Sequence, residues 1–133
     1  MLVISPIYDR KEQHDLCAEC GQEYNETELC YKAHEDGELK GLCMFKFSGD
    51  TGIITRLFSK NFENADLFAL EAAARTVLDL FERAGITTAY YYPDKKYGAQ
   101  LCSLLRFDNT VSPAYVNIKG YFDEPCRGEK EFK

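Results

Sequence analysis

Residues 66–92 read DLFALEAAARTVLDLFERAGITTAYYY, and the change of period inside them decides the fold. From Asp66 to Ala84 the apolar positions Leu67, Leu70, Ala74, Val77, Leu78 and Phe81 recur at three- and four-residue spacing. That spacing predicts an amphipathic helix with one stripe turned to a core. Gly85 follows where a left-handed helix cap is favoured. Ile86 to Tyr92 is β-branched and aromatic, so it predicts a strand, closed by Pro93. Ile53-Ile54-Thr55-Arg56-Leu57-Phe58, before the helix, also reads as a strand. A strand–helix–strand passage of this length implies a parallel pair joined by a right-handed crossover.

Upstream lie two more strand-like segments, Leu29 to His34 and Leu39 to Phe47. The turn Glu35-Asp36-Gly37-Glu38 carries the Asp-Gly hairpin signal, and Ser48-Gly49-Asp50-Thr51-Gly52 makes a second tight turn. These segments predict an antiparallel meander. Before it, Leu2-Val3-Ile4 is a short edge strand broken near Pro6. Asp9 to Cys20 reads as a helix capped by Asp9, with Glu12 at the capping-box offset and Gly21 as the stop. Residues 22–28 are acidic and irregular.

Downstream, Asp94 to Leu105 predicts a shorter helix with Leu101, Leu104 and Leu105 inward. Phe107–Val111 and Tyr115–Ile118 predict a terminal hairpin across Ser112-Pro113. The expected order is β-α-β-β-β-α-β-α-β-β. That is an α+β fold, a mixed and mostly antiparallel sheet flanked by helices, in one domain over residues 1–122 with a charged tail at 123–133.

The chain has 133 residues, 45% hydrophobic and 29% charged, an ordinary globular mix. Sixteen Lys plus Arg against 22 Asp plus Glu give a net charge of −6. Residues 1–60 carry 7 basic and 11 acidic groups, and residues 61–133 carry 9 and 11, so neither half is basic. A nucleic-acid partner is therefore not expected, because phosphate backbones need a basic face. No apolar run reaches the ~20 residues of a membrane span and the start lacks a signal-peptide pattern, so a cytoplasmic location is expected.

Six cysteines are present, and only Cys17 and Cys20 are close. A structural zinc site needs a second close pair. None exists, so the thiols are expected to be free and to pack as small hydrophobes, with no metal bound.

Three stretches give the order a family likeness. Asp36-Gly37-Glu38-Leu39-Lys40-Gly41 matches an Asp-Gly-x-x-x-Gly phrase joining two strands, Leu67 to Ala89 matches a long helix and its following strand, and Ala99 to Phe107 matches a late helix. Together they resemble the GNAT superfamily of acyl-CoA-dependent N-acetyltransferases. The resemblance implies an acetyl-CoA or other acyl-CoA donor and a small-molecule or peptide amine as acceptor. The acidic stretch from Glu19 to Glu38, with seven carboxylates and one lysine, would border the acceptor pocket and favour a cationic amine. A homodimer is possible in such a fold.

In the family the donor's diphosphate rests on backbone amides between the third meander strand and the long helix, in a phrase Arg/Gln-x-x-Gly-x-Gly/Ala. Here that stretch is Ser59-Lys60-Asn61-Phe62-Glu63-Asn64-Ala65-Asp66, with no glycine, one cation and two carboxylates. Such a cradle is filled with bulk and negative charge where a polyanion would land. Leu57, Phe58, Ser59, Asn64, Ala65 and Asp66 are the donor-binding candidates by this likeness, with Lys95 where the family often has asparagine. The family's late-helix tyrosine aligns with Cys102. Tyr91 and Tyr97 are the other candidates for the chemistry, since one of Tyr90, Tyr91 and Tyr92 can face the cleft. The plain alternative for Cys102 is a core thiol, and for the tyrosines packing. The resemblance thus implies either an atypical N-acyltransferase or a non-catalytic protein of the same fold that binds a small molecule or a protein partner.

Overall fold

A computed structural model describes residues 1–60, 65–119 and 121–123. Strands β1 (Leu2–Ile7), β2 (Leu29–Glu35), β3 (Glu38–Ser48), β4 (Thr51–Phe58), β5 (Thr88–Tyr91) and β6 (Ala114–Asn117) form one sheet in sequential order. Helices α1 (Arg10–Glu19), α2 (Leu67–Arg83) and α3 (Gly98–Leu105) and a short 3-10 helix at Tyr121–Asp123 complete the described elements. All neighbours are antiparallel except β4 and β5, which run parallel as the α2 crossover requires. No helix among the described residues is long and apolar enough to cross a membrane.

α1 and α2 form where the sequence places them, whereas α3 begins at Gly98 and not at Asp94, whose carboxylate instead accepts from the Lys96, Tyr97 and Gly98 amides in a turn. Asp66 caps α2, its carboxylate accepting from the Ala69 amide at 3.0 Å, and the stripe Leu70, Ala74, Val77, Leu78 and Phe81 is buried. Burying each large side chain contributes about 1.5–3 kcal/mol. Asp9 caps α1 through the Lys11 amide at 2.9 Å. The capping box does not close: Glu12 instead meets Lys32 Nζ at 2.6 Å, a full charge being a better partner than the cap amide.

The two glycines of the hairpin phrase have separate causes. Asp36 and Gly37 have φ of 53° and 79°, the backbone of a type I′ turn, which a side chain with a Cβ resists at Gly37. Gly41 lies under α2, where a Cβ would stand 2.5 Å from the Leu70 side chain.

Two apolar clusters sit on opposite faces of the sheet. The larger joins α2 and α3 to Cys43, Phe45, Ile54, Leu57, Ala89 and Tyr91, while the smaller joins α1 to Cys30, Leu42, Met44 and Phe58. After β6, Tyr121 folds back on the first face. Its ring lies 3.8 Å from the Arg106 guanidinium carbon, and its hydroxyl donates to the Leu105 carbonyl at 2.7 Å.

Two expected strands are corrected. β1 is not broken near Pro6 but runs through it to Ile7, with Pro6 opposite Tyr31. Phe107–Val111 is reduced to a single bridge between Asp108 and Tyr115, with reciprocal backbone bonds of 2.7 and 3.2 Å. Asp108 turns its carboxylate onto the Thr110 amide at 2.9 Å, which closes a local turn in place of a second ladder step. The tail from 124 lies outside the described residues.

Candidate functional site

The site starts from an unequal pair of strands. Parallel β5 matches β4 only from Thr51 to Ile54, opposite Thr88 to Tyr91. Beyond that, Tyr92 donates one bond to the Ile54 carbonyl at 3.3 Å, and from Thr55 to Phe58 β4 is paired with β3 alone. On the β3 side Met44 pairs with Arg56 and Phe45 with Ile54, so Thr55 is an extra residue. That is a β-bulge, which bends and twists the strand that carries it. The bulge falls where β4 and β5 part, and this opening of the sheet's pairing leaves β4 without a strand partner on that side.

Tyr91 stands at the corner of this opening. Its ring is buried in the first cluster and packs against Phe107 at 5.7 Å. Burial, then the nearby charge of Asp94 and the thiols of Cys102 and Cys43, push its phenol far above the ordinary range. Tyr91 lies opposite Ile54, and Cys43, one of the thiols that act on its phenol, lies opposite Leu57 in the parted stretch of β4. Tyr91 as a whole is only 1% exposed. Cys102 is buried on α3, and burial raises its thiol too. The structure thus brings Tyr91 and Cys102 together. Tyr97 is half-buried at the start of α3, with Lys96 Nζ 5.4 Å from its ring. Lys95 is exposed in the loop before α3.

On the opposite face of the bulge the sequence reading missed a buried acid. Glu28, only 4% exposed, reaches there from just before β2. Its carboxylate accepts from the Thr55 hydroxyl and, at 3.2 Å, from Arg56 Nε. Arg10 and Gln13 hold the Glu28 carbonyl at 3.3 and 3.0 Å. Above it opens a groove of about 520 Å³ lined by Glu23, Tyr24, Asn25, Glu26, Glu28 and Arg56. The only signal in the sequence was a glutamate directly abutting an apolar strand.

The donor-binding candidates divide. Leu57 and Phe58 end the parted stretch with buried side chains on opposite faces, and buried Ser59 follows. Ala65 and Asp66 lead into α2, while Asn64 lies outside the described residues. From Thr55 to Phe58 the β4 backbone has no β5 partner. The residues that follow answer a diphosphate poorly. Asp66 has turned its carboxylate onto the Ala69 amide among the first-turn amides of α2, and Lys60, the stretch's cation, is 3.0 Å from Glu19. A helix N-terminus attracts anions through those same amides, so a carboxylate already seated there competes with a phosphate.

The five described cysteines are free, four of them buried, in keeping with packing.

No protein-family model and no curated protein matches the sequence. Solved structures do. The spermidine/spermine N-acetyltransferase SpeG from Vibrio cholerae superposes with a TM-score of 0.66 at 10% identity, over 92% of this chain and 98% of that one. A GNAT-family acetyltransferase from Staphylococcus aureus gives 0.62 at 13% identity, over 89% and 99%. The PaiA N-acetyltransferase from Thermoplasma acidophilum, solved with coenzyme A, gives 0.50 at 13%, over 75% and 62%. Parallel β4 and β5, the α2 crossover and these superpositions lead to one conclusion: the chain has the GNAT N-acetyltransferase fold.

Proposed function

We propose that this protein is an N-acyltransferase that takes an acyl group from a thioester laid along Thr55–Phe58 and passes it to an amine. The observation that carries the reading is the parting of β4 from β5 at the Thr55 bulge, with Tyr91 opposite Ile54 at its edge. The neutral amine nitrogen attacks the thioester carbonyl carbon. A C–N bond forms, the C–S bond breaks, and the nitrogen gives up a proton to water. A free thiol has a pKa of about 8.5, so the departing thiolate takes a proton from solvent near neutral pH. Tyr91 and Cys102 are poor proton donors, because both are raised above their ordinary values. Their part is to present neutral hydrogen-bond donors to developing charge. Positioning and electrostatic stabilisation then supply the rate. Glu23 and Glu26 in the groove on the other face of the bulge favour a cationic amine as acceptor, the charge of Glu28 there being met by Arg56. SpeG, of the same fold, acts on such amines by name.

The test is thiol release from acetyl thioesters in the presence of a panel of primary amines and polyamines. Native protein is expected to release thiol, and Tyr91→Phe to lose roughly tenfold or more in rate, the worth of about one hydrogen bond to charge. Silence with every amine, and no rise in melting temperature with millimolar thioester, would reject the reading. A second reading, a non-catalytic protein of this fold that binds a small molecule or protein partner, draws on the self-capped α2. Thioester binding without turnover would favour it.

A further inference from the structure

The geometry points to a donor site that reads only the thioester and its pantetheine-like arm and is indifferent to the nucleotide diphosphate of coenzyme A. This rests on the reading above and narrows its donor to a chemical class, short acyl thioesters of pantetheine type.

Two contacts of the described residues answer the groups that would recognise a diphosphate, and the sequence between them adds a third feature. Asp66 Oδ1 accepts from the Ala69 amide at 3.0 Å, so the α2 N-terminus is already answered by a carboxylate of the same chain. Its partial positive charge, about half an elementary charge, is thereby offset before any ligand arrives. Lys60 Nζ is 3.0 Å from Glu19 Oε1, so this cation is engaged with α1. From Ser59 to Asp66 there is no glycine, the residue that lets a backbone come within reach of phosphate oxygens. The arm's site is untouched by any of these. It lies on the β4 side of the opening, where Thr55 to Phe58 have no β5 partner. Asp66 is then a specificity-determining residue: it removes the advantage a nucleotide would give.

The experiment compares acetyl-CoA, S-acetylpantetheine and adenosine 3′,5′-bisphosphate by isothermal titration calorimetry on the full chain. The dissociation constants of the two thioesters are expected to agree within threefold, and the bisphosphate is expected not to compete at millimolar concentration. Asp66→Ala is expected to tighten acetyl-CoA at least fivefold while leaving S-acetylpantetheine unchanged. Acetyl-CoA binding tenfold tighter than S-acetylpantetheine in native protein, or displacement by the bisphosphate, would overturn the inference and leave the acyltransferase reading standing. Failure of both thioesters to bind would overturn the two together.

Discussion

Glu28 and Arg56 face each other across the α1 side of the sheet in a two-point ion pair, with Nε on one carboxylate oxygen and Nη2 on the other. Neither lies near the other in sequence, and the pair pins the segment before β2 to the bulge in β4. Removing one partner of a buried pair leaves an uncompensated charge at a cost of about 3–5 kcal/mol. Arg56 is 26% exposed, so water relieves part of that penalty. Glu28→Ala is expected to cost about 2–4 kcal/mol in urea unfolding. The double variant Glu28→Leu with Arg56→Met should be less destabilised than Glu28→Ala alone, which a double-mutant cycle measures.

Gly52 sits flat under α2. A Cβ there would meet the Phe81 ring at 2.5 Å, and Phe81 is itself wedged by Phe45 at 5.8 Å and Phe47 at 5.3 Å. Gly52→Ala is expected to destabilise by about 1–3 kcal/mol through overpacking. An unchanged midpoint in urea would contradict that packing.

Asp66 serves the fold whatever it does to ligands. Asp66→Ala removes the α2 cap and is expected to cost about 0.5–2 kcal/mol, read as a lower denaturation midpoint with the slope preserved.

Stability is expected to fall as pH rises above 9. Cys20 is pushed up to about 11, mainly by burial. Burial also raises Cys30, Cys43 and Tyr91. The folded chain therefore holds protons that the unfolded chain releases from its ordinary thiol value of 9.0 upward. Bound protons favour the folded state at lower pH, and that advantage is lost through the window from about 9 to 11. Urea midpoints at pH 8, 9.5 and 11 measure it. In the same window, alkylation of Cys20 in native protein should accelerate with pH, since the thiolate is the reactive form.

Much of this fold was legible because its signals are local. The period of Leu70 to Phe81, the Asp66 cap and the Asp36-Gly37 turn each act within a few residues, and the α2 crossover forces the parallel pair. The misread positions are those where a side chain takes a different partner from the one the local pattern offers. Glu12 leaves its cap for Lys32, and Asp108 spends its carboxylate on Thr110, so a ladder shrinks to one bridge. The site was half legible. Tyr91 and Cys102 could be named from strand and helix positions. The Thr55 bulge and the arrival of Glu28 depend on how β3, β4 and the loop after α1 dock, which no local pattern encodes.

The Tyr121 clasp has a practical side. Its hydroxyl on Leu105 and its ring against Arg106 tie the segment after β6 back to the end of α3. A shortened chain ending at Ile118 would strip the last turn of α3 of that cover and expose the neighbouring leucines to water. For expression and crystallisation, trimming should stop beyond Phe122, and fluorescent or affinity fusions belong after that point.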